Sequence, residues 1–159
     1  MNHKIIVIWA GLAGLLQACG PGQDQPATAP SGSASSPTSL VSRTPAPTNA
    51  KVFFVTPANG KTVSSPILVQ FGLEGLEVAP VGTYEPETGH HHLLVDTQPP
   101  VMDMPVPVDA NHIHFGKGQT ETTIELSPGP HTLQLLVGDG THVPHQPPVM
   151  SEAISITVE

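Results

Sequence analysis

Nine histidines stand in a chain of 159 residues that carries only five Lys and Arg, and their spacing is not even. Seven fall into three tight groups: Gly89-His90-His91-His92-Leu93-Leu94-Val95-Asp96, Asn111-His112-Ile113-His114-Phe115-Gly116 and Thr141-His142-Val143-Pro144-His145. Side chains alternate along an extended chain, so His90 and His92 share one face, as do His112 and His114. Two residues of strand advance about 6.6 Å, a span that two imidazoles close around one ion. If the two segments pair, His90, His92, His112 and His114 converge on a sheet. Three imidazole nitrogens and a water form a familiar zinc arrangement, and imidazole suits copper equally. His142 and His145 are further candidates. Met102 and Met104 offer soft thioethers to Cu(I). Asp96, Asp103 and Asp109 are carboxylates that could ligate or accept from an imidazole N–H. No run of alternating carboxylates forms a calcium loop.

A second reading needs no ion. Buried imidazoles each require an acceptor for every donor, so the same residues also fit a His/Asp/Thr hydrogen-bond network in a structural or interaction domain. His142 and His145 then read as solvated loop residues, and Met102 and Met104 as packing. His91 shares parity with Leu93 and Val95 and reads as buried. His131 heads a strand in step with Leu133 and Leu135 and reads as a hydrogen-bonding corner residue. Under either reading, histidines held neutral must charge on acidification, so the domain should lose stability below about pH 6.

The elements that must position these residues are strands. With 19 Pro and 15 Gly, about a fifth of the chain breaks helices, and no apolar 3.6-residue period runs long enough for one. From Lys51 onward, apolar residues alternate in short runs between turn signals. Examples are Ile67/Val69/Phe71/Leu73, Thr122/Ile124/Leu126, Leu133/Leu135/Val137 and Ile154/Ile156/Val158. The continuous run His91–Asp96 suits a strand buried on both faces. About seven such strands predict an all-β, immunoglobulin- or fibronectin-like sandwich over residues 50–159. Leu126–Leu133, with its Ser127-Pro128-Gly129-Pro130 turn, matches the corner before the penultimate strand. Residues 76–88 and 97–110 are loops long enough to carry a site.

Ahead of this domain lie an address and a spacer. Met1–Lys4 and the apolar run Ile5–Leu16 read as a signal peptide over residues 1–18, too short to span a membrane. The run ends in Leu16-Gln17-Ala18-Cys19-Gly20, which resembles the bacterial lipobox. Cys19, the single cysteine, is then the lipidated residue that anchors the chain to a membrane. Gly20 after it resembles the sorting pattern of lipoproteins of the Gram-negative outer membrane, facing the periplasm. Residues 19–49 are rich in Pro, Ser, Thr and Ala and read as a disordered tether. Without residues 1–18 the chain keeps four basic against 13 acidic residues, a net charge of −9. Nucleic-acid binding is excluded, because no basic face remains to neutralise phosphates. Trp9 leaves with the signal, so little is left on which a sugar ring would stack.

Phe53-Phe54-Val55-Thr56-Pro57, Phe71-Gly72-Leu73-Glu74-Gly75, the segment 89–96 and His112-Ile113-His114-Phe115-Gly116-Lys117-Gly118-Gln119-Thr120-Glu121 together resemble the bacterial domain of unknown function 4399, from about residue 51 to the C-terminus. The resemblance implies an exported bacterial protein with a small β-rich domain and brings no activity with it. Thr56–Pro66 is also similar to the opening of bacterial immunoglobulin-like domains and periplasmic copper carriers. Unlike those carriers, this chain has no Met-rich loop beyond Met102 and Met104. No nucleophile elbow, phosphate loop or His-Glu-x-x-His helix is present, and the expectation is a binding module and not an enzyme.

Overall fold

The computed structural model describes residues 42–159. The expected signal peptide, the lipidated Cys19 and the tether up to residue 41 lie outside the described residues. Nine strands follow: β1 Lys51–Thr56, β2 Lys61–Val63, β3 Ile67–Glu74, β4 Glu77–Val78, β5 Thr88–Val95, β6 His112–His114, β7 Glu121–Ile124, β8 Gly129–Gly138 and β9 Ile154–Val158. No helix occurs among the described residues, as the missing 3.6-residue period predicts. The count exceeds the expected seven because β2, β4 and β6 are pieces of only two or three residues. Segments that short carry no readable alternation.

One sheet has the order β1-β3-β7 and the other β2-β9-β8-β5-β4, with β6 also pairing to β5. This is the arrangement of an immunoglobulin-like sandwich, with the first, second and fourth of the six longer strands on one sheet and the third, fifth and sixth on the other. The alternation read from the sequence is what joins the sheets. Val52, Ile67, Val69, Phe71 and Ile124 from the first sheet pack against Leu93, Val95, Leu133, Leu135, Val137 and Ile156 from the second. Leu68, on the opposite parity in β3, is exposed.

The corner before β8 is closed as expected by His131. Its Nε2–H donates to the Ser127 carbonyl at 2.8 Å, and its Nδ1–H donates to Asp96 Oδ2 at 2.6 Å. Asp96 Oδ1 also accepts the Thr132 amide at 2.7 Å. Asp96 is thereby committed to the corner.

Hydrogen bonding into the domain starts earlier than residue 50. Pro45 bridges in parallel to Gln146, the Ala46 amide donates to the Gln146 carbonyl, and the Gln146 amide donates to Thr44. The Arg43 guanidinium donates to the Pro144 and His145 carbonyls. The last residues of the expected tether therefore add a short extended edge to the fold, because their backbone groups find partners there.

Leu135 is fully buried on the inner face of β8 and is in contact with both sheets' core. Leu135→Ala should destabilise the domain by about 2–5 kcal/mol. Urea denaturation of wild type and variant checks this; a loss under 1 kcal/mol would contradict the sandwich packing.

Candidate functional site

β5 is buried along its whole length, from Thr88 to Val95. Its two faces differ. His91, Leu93 and Val95 face the inter-sheet core, and the His91 ring lies 4.6 Å from that of Phe71. His90, His92 and Leu94 face the other way. Opposite them across the β5–β8 ladder stand Gly138, Leu136 and Gln134. Leu94 and Leu136 pack there with Val106, Met102 and Met150 in a second apolar cluster. The outer face of this sheet is thus a second interior, covered by loops.

On that face four imidazoles meet. β6 pairs antiparallel with β5 and sets His114 directly opposite His92. The His92 and His114 rings are nearly parallel, 5.1 Å apart; His90 lies 4.8 Å from His92 and 4.9 Å from His114. The fourth ring is His142, 4.4 Å from His114 and 5.0 Å from His90. One ring nitrogen from each of His90, His92, His114 and His142 can be chosen so that all four lie within 4.8 Å of one another. His90 and His92 are fully buried, while His114 and His142 are half-buried and form the accessible side.

The backbone is shaped to admit these rings. A Cβ on Gly138 would lie 2.8 Å from His92 Cε1 and 3.3 Å from the His142 carbonyl carbon. A Cβ on Gly116 would strike the His114 ring. Two loops then close over the site. The Val81 amide donates to Gly116 and the Gly82 amide to Gly140, which draws residues 79–84 across. The Val106 amide donates to the His142 carbonyl at 2.8 Å, which ties residues 97–110 to the fourth ring.

Three of the four residues expected to converge do so. His112 does not, although it shares a face with His114. It stands opposite Leu94, two residues farther along β5, and its Nδ1–H donates to Asp109 at 2.9 Å. His142 takes the place expected for His112. It arrives on a reverse turn, Gly138–Val143, and is expected from the sequence only as a further candidate ligand or, in the metal-free reading, as a solvated loop residue. The Gly-Asp-Gly-Thr-His string was the available signal.

The lesser candidates lie elsewhere. His145 is buried and its Nε2–H donates to the Thr88 carbonyl at 3.1 Å, outside the group of four. Met102 packs in the second apolar cluster and Met104 is exposed. Asp96 belongs to the His131 corner, and Asp103 faces Arg43 at 3.6 Å.

Burial governs the electrostatics. It lowers His90 to about 4, helped by the neighbouring His114 and His142 and opposed by the Asp139 carboxylate. It lowers His92 to about 2, helped by His90, His114 and His142. His114 is lowered by burial and by His142. His91, on the core face, is lowered to about 4 by burial. His90, His92 and His114 are therefore held neutral at pH 7, with lone pairs free for an electrophile. Among the described residues, neither ring nitrogen of His90 or His92 has a hydrogen-bond partner, nor has His114 Nε2 or His142 Nδ1. An unpartnered buried polar group costs about 1–3 kcal/mol. Four imidazole nitrogens with no thiolate or carboxylate among them could hold a borderline transition metal and do not suit calcium or magnesium.

The sign of the pH dependence follows. Unfolded histidines titrate near 6.5, whereas folded His90, His91 and His92 stay neutral down to about 4, 4 and 2. Between those values the unfolded chain binds more protons, so metal-free stability falls as pH drops below about 6.5. His131 works in the opposite sense, because the Asp96 carboxylate raises it. Three lowered groups outweigh one raised group near the surface. The melting temperature of the metal-free protein should drop by roughly 10 °C between pH 7.5 and pH 4.5; a flat profile in a differential scanning experiment would contradict the buried neutral cluster.

A family model described as Domain of unknown function (DUF4399) matches residues 69–159, more than half of the chain. The matched stretch begins in β3, later than the similarity read from residue 51, and contains all four clustered histidines. No curated protein and no solved structure matches the chain. The chain, an all-β sandwich with a buried four-histidine cluster on its second sheet, belongs to the DUF4399 family.

Proposed function

We propose that this domain binds one transition-metal ion, copper or zinc, through His90, His92, His114 and His142. The single observation that carries the reading is the convergence of four imidazoles whose donor atoms all lie within 4.8 Å of one another. Around an ion with metal–nitrogen bonds of about 2.0 Å, tetrahedral ligands stand about 3.3 Å apart. Small ring rotations close that gap. The competing reading, a metal-free His/Asp/Thr hydrogen-bond network, requires partners for the nitrogens of these rings. Their inward nitrogens have no partners among the described residues, which favours the ion.

The domain then serves as a metal-binding module of the bacterial envelope. The lipobox-like Leu16–Cys19 and the Pro/Ser/Thr-rich spacer support export and a lipid anchor, with the domain on the periplasmic side of the outer membrane. A catalytic role is not part of the reading. Among the described residues, no side chain near the cluster stands in a recognisable nucleophile or general-base arrangement.

Titration calorimetry with Zn²⁺ and Cu²⁺ tests the site. One ion per chain with sub-micromolar affinity is the expected result, lost in His92→Ala and in His114→Ala and retained in His112→Ala. At free metal 100 times Kd the fold should gain about 2.7 kcal/mol, a rise of roughly 10 °C in melting temperature. Stoichiometry below 0.1 with both ions, or equal loss in His112→Ala, would sink the assignment. The anchor has its own test: Cys19→Ser should move the protein from the membrane fraction to the soluble fraction or leave its precursor unprocessed, and unchanged membrane association would argue against lipidation.

A further inference from the structure

One carboxylate is built into the turn that delivers the fourth imidazole. Asp139 directly follows β8 and is nearly buried, at 8% exposure. Its Oδ1 accepts three hydrogen bonds from the turn it begins: the Thr141 amide at 2.8 Å, the Thr141 hydroxyl at 2.7 Å and the Val143 amide at 3.1 Å. Its Oδ2 accepts the Thr44 hydroxyl at 2.6 Å, from the edge segment that precedes β1. The backbone closes the same turn, with the His142 amide donating to the Asp139 carbonyl and the Asp139 amide to the Val143 carbonyl, both at 2.9 Å.

The residue enclosed by these bonds is His142, whose φ is +68°. A non-glycine residue occupies this left-handed region only when its surroundings impose it. Here the bonds on either side of His142, at Thr141 and Val143, end on one carboxylate oxygen. His142 Nδ1 meanwhile is buried and unpartnered, and one nitrogen of its ring belongs to the group of four.

We propose that Asp139 is the positioning residue of the metal site, holding His142 in its left-handed conformation so that the fourth imidazole is presented to the ion. The proposal rests on the metal-binding reading above and deepens it. Asp139 is not among the residues whose donor atoms converge, which are His90, His92, His114 and His142. Its hydrogen bonds hold the turn that carries His142. Groups that orient a ligand in this way commonly change metal affinity by 10–100-fold when removed.

Asparagine at 139 keeps an oxygen to accept the three bonds at Oδ1 and can donate its amide N–H to the Thr44 hydroxyl, so it preserves the turn. Alanine removes every bond. The experiment measures Zn²⁺ affinity of the full chain by competition with a chromophoric chelator. The number of imidazole nitrogens on bound Cu²⁺ is read in parallel by electron spin-echo spectroscopy. Asp139→Ala should weaken Zn²⁺ binding by about 10–100-fold and remove one nitrogen from the copper spectrum. Asp139→Asn should stay within about threefold of wild type and keep four nitrogens, a rescue that a general loss of stability would not produce. The double variant D139A/H142A should bind no more weakly than H142A, as expected for two residues acting as a unit.

If D139A fails to fold, Thr44→Val and Thr141→Val each delete one bond to the carboxylate. Each should weaken binding severalfold in the wild-type background and change nothing in the H142A background. Wild-type binding with unchanged affinity and nitrogen count in D139A, additive losses in D139A/H142A, or D139N as weak as D139A would overturn the positioning role while leaving the metal site standing. Failure of the wild-type chain to bind either ion would remove both.

Discussion

A strand covered on both faces cannot follow the rule of apolar inside and polar outside, and β5 is such a strand. Its inner face builds the sandwich with Leu93 and Val95, and desolvation there is rewarded by apolar contact. Its outer face is equally dry but carries His90 and His92. Everything distinctive about the domain follows from covering that second face. The covering residues must tolerate four adjacent imidazoles, and the imidazoles must tolerate the loss of water. They do so by remaining neutral, since burial and mutual repulsion both disfavour the proton.

That neutrality links folding to function. Imidazole binds a metal only through a free lone pair, so a site that expels protons at pH 7 is already in its ligating form. The unpartnered nitrogens are the other side of the same arrangement. Buried polar groups are costly to leave without a partner, and one transition-metal cation, as proposed above, would satisfy several converging lone pairs at once. His131 shows the contrasting design in the same fold. Both of its nitrogens donate, one to a carboxylate and one to a carbonyl, so its proton is retained and it serves as a structural clasp.

The cover itself is held by backbone bonds and not by a large apolar lid. Residues 79–84 reach across to Gly116 and Gly140, and residues 97–110 are bonded to His142 through Val106. The edge segment at Arg43–Ala46 holds the far side of the ligand-bearing turn. Each of these segments carries proline (Pro45, Pro80, and Pro99, Pro100, Pro105 and Pro107), which restricts the number of conformations that must be excluded on folding.

Much of this was legible in the residues themselves. Period-two alternation determined the all-β class, the inward set of each long strand and the shared face of His90 and His92. The Ser-Pro-Gly-Pro turn and the parity of His131 located the corner clasp, and each His-x-His spacing put its two rings on one face, while the pairing of the two segments came from the fold. These features are local, because a strand's alternation is written in its own residues. The choice of the fourth imidazole was not local. His112 has the right parity but lies two residues along the ladder, where Asp109 takes its proton-bearing nitrogen. His142 has no strand parity at all, and it reaches the site only because Asp139 folds its turn and two distant segments, at Thr44 and Val106, fix that turn against the sheet. Register and loop closure are set by contacts between residues far apart in the chain, so the tertiary structure alone decided which histidines meet.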